Sequence, residues 1–557
     1  MSALKGVVRS EKMLQHKSNA MRALSIAITA MMVFVSIIAS TECVSAATRL
    51  KVTASKKTIF VTQTSKLKAN KNVKWSVSNR KIAKLTNIKK RTVTVKGLKA
   101  GTVYVKAKYG KTIRKIKIVI KKGPQKINLL ATRDEIGVGE YCTVFVNSVV
   151  PSAASHSVTF KSSDESVAIV EDSGLVTGIS KGSVTITATS KVNKTTKAQV
   201  KIKVVPAKAG KITLDVYLTD EERYPAGKVA RVWLPVPKDD SNQKITREKI
   251  EYDSDDENTK AAFVTDSAGG KQAYIEWSEN VDPKDRHATL SYDLYRKAVV
   301  RKDSIASMEK GVVDRTRFAE YLKETYWSGD LKSGIVKNTA DDIVSAAGAE
   351  TVYEQAHAIY DFMCDNMIRT DDKTVIFGDV VSILKGFKGE EGGRNAGSCM
   401  DMNSVFVALC RAEDIPARTL YGFRFTTLGP NCRAEFYLPG YGWVPVDPAL
   451  AIKQGRGLDA PPKTDHDITW EGIKDKYWGN AEENWICVNM GRDIWLDPPQ
   501  SVDTGGEYKE VLNPDGSINL FMFPYGEFDG EYIPCQNSKN FKYQYSFEED
   551  DPLGCGC

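Results

Sequence analysis

Asn395-Ala-Gly-Ser398-Cys399-Met-Asp401-Met402-Asn403-Ser-Val405-Phe406-Val-Ala-Leu409-Cys-Arg-Ala412-Glu-Asp-Ile415-Pro416 carries its apolar residues at helical spacing. Met402, Val405, Phe406 and Leu409 fall at i, i+3, i+4 and i+7, which predicts a helix from Cys399 to Ala412 with Ser398 as its N-cap. Cys399 then lies in the first turn, behind a Gly-Ser entry. Unsatisfied backbone N–H groups and the helix dipole favour a thiolate there, the form in which a cysteine attacks a carbonyl. A first-turn cysteine is also common as inert filler, so its surroundings decide.

Those surroundings begin at Asn431-Cys-Arg433-Ala-Glu435-Phe-Tyr437-Leu-Pro439-Gly440-Tyr-Gly-Trp443-Val-Pro-Val-Asp447-Pro448. This reads as two strands around a Pro439-Gly440 turn. If Tyr437 and Trp443 close the hairpin, Asp447 lies opposite Arg433, with Asn431 its diagonal neighbour on the same face. A slip of one residue would undo that alignment.

Gly-Ser-Cys399-x-Asp-x-Asn-x-x-Phe-Val-x-Leu, then Ile-Pro-Ala-Arg418, Tyr421-Gly422 and the hairpin from Cys432 to Pro448, resemble a bacterial transglutaminase-like domain with a papain-like cysteine-protease core. The resemblance is dense from Gly397 to Pro448. It implies a cysteine nucleophile on a helix N-terminus, a histidine on the next strand as its base, and an aspartate on the strand after that to orient the histidine. Carried over by position, Cys399 is the nucleophile and Asp447 the orienting acid. Arg433, Glu435, Tyr421 and Trp443 are expected to line or brace the substrate groove.

The histidine position falls on Asn431. An amide is no base and forms no cation, so the expectation is a Cys399 pKa near the free value, ~8.5. The chain has five histidines: His16, His156, His287, His357 and His466. Only His466, in a Pro-rich loop 19 residues beyond Asp447, is placed to replace the missing base. Placement by a loop is less accurate than placement by a strand.

Upstream, residues 207–300 read as strands, with Ile212-Thr-Leu214-Asp-Val216-Tyr-Leu218 and Leu290-Ser-Tyr292-Asp-Leu294 alternating cleanly. From Arg49 to Val205 the chain reads as two β-modules that repeat. Trp75-Ser-Val-Ser-Asn-Arg-Lys-Ile82-Ala83 is echoed by Phe160-Lys-Ser-Ser-Asp-Glu-Ser-Val167-Ala168. The second copy resembles the bacterial Ig-like domains (group 2) of surface proteins; the first resembles them less closely. In that family such modules are adhesins or spacers.

The expected organisation is multidomain: a leader at 1–46, a basic Ig-like domain at 49–122, an Ig-like domain at 124–205 and a β-sandwich-like domain at 207–300. An α+β transglutaminase-like core follows at 311–548, and an acidic, cysteine-bearing tail at 549–557. At about 150 residues per domain, 557 residues accommodate this. A hydrophobic share of 42% and a charged share of 27% exclude a disordered or collagen-like chain.

Charge is unevenly placed. Residues 49–122 hold 24 Lys and Arg and no Asp or Glu, whereas 123–557 hold 50 basic and 67 acidic residues. Such a block points to an anionic partner. For a secreted chain that is a cell-surface polymer, and no interleaved aromatics indicate specific nucleic-acid readout. The alternative is a sandwich surface of solvated lysines.

Ala23–Ser40 is an apolar run after five basic residues, followed by Val44-Ser45-Ala46, which fits a secretory signal cut after Ala46. Met13 and Met21 are alternative starts, and an uncleaved anchor helix is the alternative to cleavage. Glu42 argues against a lipid on Cys43. The other nine cysteines, among them Cys555 and Cys557, are scattered rather than arrayed as a disulfide framework. No metal-ligand spacing and no phosphate-binding glycine loop is present, so neither metal nor cofactor is expected.

The expected function is a secreted or cell-surface thiol acyl transfer, amide hydrolysis or cross-linking, on peptide or cell-wall substrates. The alternative is a catalytically inactive module of the same fold, tethered to the cell wall by the basic Ig-like domain.

Overall fold

The computed structural model describes residues 49–371, 378–394, 396–425, 428–462, 468–501, 512–533 and 541–552. The leader, His466 and the Cys555/Cys557 end lie outside these residues. The chain divides into two compact units, Met1–Gln125 with Val150–Ser155, and the remainder.

The first unit is a two-sheet sandwich. One sheet aligns Val52–Ala54, Thr64–Ala69, Thr92–Gly97 and Ala83–Thr86; the other aligns Thr58–Phe60, Thr112–Lys121, Gly101–Tyr109 and Lys74–Val77. Strict alternation drives it: Ser65, Leu67 and Ala69 point inward while Thr64, Lys66 and Lys68 point to solvent. Val93, Val95, Val103, Val105, Ile118 and Ile120 complete the core. With no acid available, the outward lysines face each other directly, Lys74 across from Lys108 and Lys106 across from Lys115, an arrangement that costs stability.

The second unit opens with a sandwich of the same strand order, Ala168–Val170, Leu175–Gly178, Tyr141–Val150 and Lys126–Ala131 against Glu135–Gly137, Lys197–Val205, Gly182–Ser190 and Val158–Ser162. The repeat extends to single bonds. Leu98 N–H donates to the Ile82 carbonyl (2.8 Å), as Ile179 N–H does to that of Val167 (2.9 Å). Here charge is paired within the unit, Arg133 with Glu140 and Lys203 with Glu135, both at 3.2 Å.

A second β-domain follows, built from two sheets. One has the order Gln243–Tyr252, His287–Lys297, Ala207–Tyr217 and Lys542–Asp550; the other has Lys260–Thr265, Lys271–Trp277, Ala230–Val236, Tyr525–Phe528 and Glu531–Ile533. The sequence boundaries therefore need correction. Strands from 525 onward, assigned above to the core, and residues 549–550, assigned to the tail, complete this domain. Leu214 pairs with Tyr545, and Trp233 with Tyr525.

The α+β core lies between. It comprises α1 (Gly334–Ala347), α2 (Val352–Asn366), α3 (Val380–Lys388), α4 (Cys399–Ala412), α5 (Pro448–Gly455) and α6 (Ile468–Tyr477). Its sheet has strands β1 (Ala417–Arg424), β2 (Pro430–Leu438), β3 (Gly442–Val446) and β4 (Trp485–Met490), in the order β3-β2-β1-β4. Helix α4 is buried from Met400 to Ala412, packed against α1, α2, α3 and the sheet face that presents Ala434, Phe436 and Leu438. Gly422 on β1 is irreplaceable: a Cβ there would sit 1.7 Å from the Ile486 carbonyl oxygen of β4.

Candidate active site

The start of α4 is held by reciprocal capping. The Asp401 N–H donates to the Ser398 hydroxyl (3.3 Å), and the Ser398 N–H donates to the Asp401 carboxylate (2.7 Å). A cap of this kind is worth about 1 kcal/mol. Asp401 is buried and also accepts from the Gly378 N–H (2.7 Å) and the Arg394 guanidinium (3.1 Å). One turn on, the Asn403 amide donates to the carbonyls of Cys399 (2.8 Å) and Cys432 (3.0 Å). A single side chain thus ties the helix start to β2.

Across that tie lies Cys432, whose thiol favours the charged form of Cys399 as a hydrogen-bond donor would. It pulls the Cys399 pKa below its ordinary value, to about 7, with help from the Arg369 charge and the Cys432 backbone N–H, against burial and the Asp447 charge. Cys142, Cys364, Cys410, Cys432 and Cys487 all shift upward. Cys399 is the one lowered thiol among the described residues. Where the sequence leads to a thiol near its free value, the neighbours Cys432 and Arg369 shift Cys399 downward without a histidine.

Cys399 opens on a cavity of about 360 Å³, which Arg369, Asp371, Arg424, Asn431 and Lys453 also line. Asn431 thus shares the cavity, while the neighbouring Cys432 lowers the Cys399 pKa. Of the histidines, His357 pairs with Asp361 (3.2 Å) and packs on Trp478, and His287 bonds Asp253 (2.9 Å) and stacks on Tyr217. Neither these nor His156 lines the cavity.

The hairpin register pairs Tyr437 with Trp443 and Glu435 with Pro445. Asp447 follows β3 and caps α5, accepting from the Leu450 N–H (2.9 Å). Its other oxygen lies 3.6 Å from Arg433 Nε, with both side chains buried. Burial raises the Asp447 carboxyl to about 6 despite the Arg433 charge. Among the buried atoms that make no hydrogen bond are Asn431 Oδ1, Asp447 Oδ2 and Arg433 Nε.

The residues assigned to the groove brace the site; none lines the cavity. Tyr421 is fully buried among Met400, Cys432, Leu520 and Met522. Arg433 stacks on Trp485 and reaches Glu482 (3.3 Å). Glu435 accepts both Nε (2.9 Å) and Nη2 (2.7 Å) of Arg418, whose guanidinium lies 4.0 Å above the Trp443 ring. Sequence reasoning missed Cys432, Arg369 and Lys453. For Cys432 a signal existed: it alternates with Ala434, Phe436 and Leu438, the face turned to the helix.

The profile of the transglutaminase-like superfamily matches residues 337–448, and that of the bacterial Ig-like domain (group 2) matches residues 138–200. An uncharacterized protein of Haemophilus influenzae is 30% identical over 347 residues, 56% of this chain and 85% of the relative. The chain carries a transglutaminase-like domain. Among solved structures, the transglutaminase-like chain is similar to a Cytophaga hutchinsonii protein provisionally described as a cysteine protease. The identity is 14%, covering 62% of this chain and 92% of that one, with a TM-score of 0.35. It is also similar to invasin, a bacterial integrin-binding protein, at 19% identity over 29% of this chain and 40% of that one, with a TM-score of 0.19. The Ig-like module is compatible with an extracellular or surface protein. Among the described residues no helix is long and apolar enough to cross a membrane.

Proposed function

We propose that this transglutaminase-like protein works at the cell surface as a thiol acyl-transfer catalyst on peptide or cell-wall substrates, with a nucleophile ionised by its neighbours instead of by a base. The lowered Cys399 thiol, opening on a cavity, carries this reading. Attack by the thiolate on a carbonyl forms the sulfur–acyl bond and expels the leaving amine or alcohol. The leaving group takes its proton from water, because Asn431 has none to give. Water or an amine then attacks the acyl-thioester and restores the thiolate, giving hydrolysis or transamidation.

The test is the rate at which iodoacetamide alkylates Cys399 across a pH series, read by peptide mass spectrometry. A rate that is half-maximal near pH 7 is expected. A rise confined to the free-thiol range, ~8.5, overturns the reading. An Asn431→His variant, run alongside, should move the profile to still lower pH.

The second reading is a catalytically silent binding module. It is favoured by Asn431 Oδ1, a buried acceptor without a hydrogen bond, on the strand position where the resemblance expects a histidine. In either reading the basic sandwich at 49–122 holds the chain on an anionic surface polymer. Retention of the chain on an immobilised polyanion should fall steeply as salt shortens the Debye length below ~8 Å. Retention that is indifferent to salt would remove that tether.

A further inference from the structure

The cavity before Cys399 is lined by three cations and one carboxylate. Arg369 follows α2 in the short strand Ile368–Arg369, its side chain 6% exposed. Its Nη2 donates to Asp371, while Nη1 is buried with no hydrogen-bond partner. Lys453, on α5, donates to the same Asp371 (2.7 Å), so two cations share one carboxylate. Arg424, at the end of β1, has Glu482 at 3.4 Å. That glutamate stands outside the cavity lining and is itself divided between Arg424 and Arg433. Among the described acids nearby, Asp447 is opposed by Arg433 and Asp401 by Arg394.

Among the described residues, cations therefore outnumber carboxylates on the cavity wall. A partly enclosed wall screens their charge less than open solvent would. An uncharged peptide amide gains nothing from such a wall; an acyl donor with a free carboxylate beside the reacting carbonyl does.

We infer that the Cys399 cavity selects a carboxylate-bearing peptide, with Arg369, Arg424 and Lys453 as the specificity-determining residues. This rests on the acyl-transfer reading, in which Cys399 is the accessible nucleophile. It adds the chemical class of the donor. The residues differ in kind: Arg369, buried and prepaired, sets the field, while Lys453 and Arg424 stand nearer solvent and can reorient toward a ligand.

Two alkylating agents that differ only in charge separate the possibilities. Iodoacetate and iodoacetamide attack the same thiolate, so at one pH the ratio of their rate constants is independent of how ionised Cys399 is. With the full chain at low ionic strength, the iodoacetate-to-iodoacetamide ratio at Cys399 should exceed that of free cysteine by about tenfold. It should fall toward the free-cysteine value in Lys453→Gln, in Arg424→Gln, and in wild type at high salt. Lys453 is 44% exposed, so its variant keeps the fold intact. A ratio no higher than that of free cysteine, with iodoacetamide still labelling Cys399, overturns the carboxylate preference and leaves the acyl-transfer reading standing. Labelling by neither agent overturns that reading and this inference with it.

Discussion

The two ends of the cleft answer their polar groups differently. At the nucleophile, Ser398, Asp401 and Asn403 between them engage the helix-start N–H groups, the Arg394 guanidinium and two backbone carbonyls. At the orienting acid, Asp447 Oδ2, Arg433 Nε and Asn431 Oδ1 are buried without a hydrogen bond. The nucleophile is held by its own helix and by β2, independently of any base. Asp447 caps α5 and faces Arg433. The capping groups beside Cys399 thus meet as hydrogen bonds, whereas Asp447 and Arg433 meet as a buried ion pair without one.

The sharpest way to break this contrast is to remove the cation that shares Asp447's burial. Arg433→Met should cost about 3–5 kcal/mol in urea unfolding at pH 8, because it strands a buried charge. The cost should shrink at pH 5, where Asp447 protonates. A loss under about 1 kcal/mol at both pH values would mean that Asp447 is already neutral or solvated.

Next in size is the acid's own titration. Its folded pKa, about 6, stands above the ordinary 3.8. The folded state therefore binds the proton more tightly than the unfolded chain does. The stability this gives is complete below pH ~4 and is lost as pH rises through 6, by up to ~3 kcal/mol. Asp447→Asn keeps the α5 cap and should flatten this segment of the stability–pH curve. An unchanged slope would assign it to another group.

At the opposite end, Cys432→Ala removes the thiol that favours the charged form of Cys399. Alkylation at pH 7 should drop about tenfold as the half-maximal pH moves toward ~8.5. A profile left in place would give Arg369 and the helix start the whole effect. Smallest is Ser398→Ala, which should lower the urea midpoint by the equivalent of about 1 kcal/mol. A neutral result would show that Asp401 alone secures the helix start.

What the sequence disclosed was local. The α4 limits, the Ser398 cap and the Tyr437–Trp443 register follow from spacing, capping chemistry and a Pro-Gly turn, all within a few residues of one another. Cys432 and Arg369 were not legible as site residues, because their approach to Cys399 depends on how β2 and the end of α2 pack on α4. Whether Tyr421, Arg433, Glu435 and Trp443 line the cavity or brace it was not legible for the same reason. The alternation of β2 separates its two faces but does not say which face borders the cavity. The final strands were misassigned because pairing between residues 214 and 545 leaves no trace in either segment alone.

That pairing governs the order of assembly during synthesis. Ala207–Tyr217 leaves the ribosome more than three hundred residues before its neighbour Lys542–Asp550. Until the neighbour arrives, one edge of Ala207–Tyr217 is a row of open backbone groups, the kind of edge that recruits foreign strands. Closure over so long a separation is slow. Of the described domains, the second β-domain is therefore the last to become complete, and a nascent chain stalled before residue 542 would have α4 and its sheet already translated while the β-domain still lacked a strand.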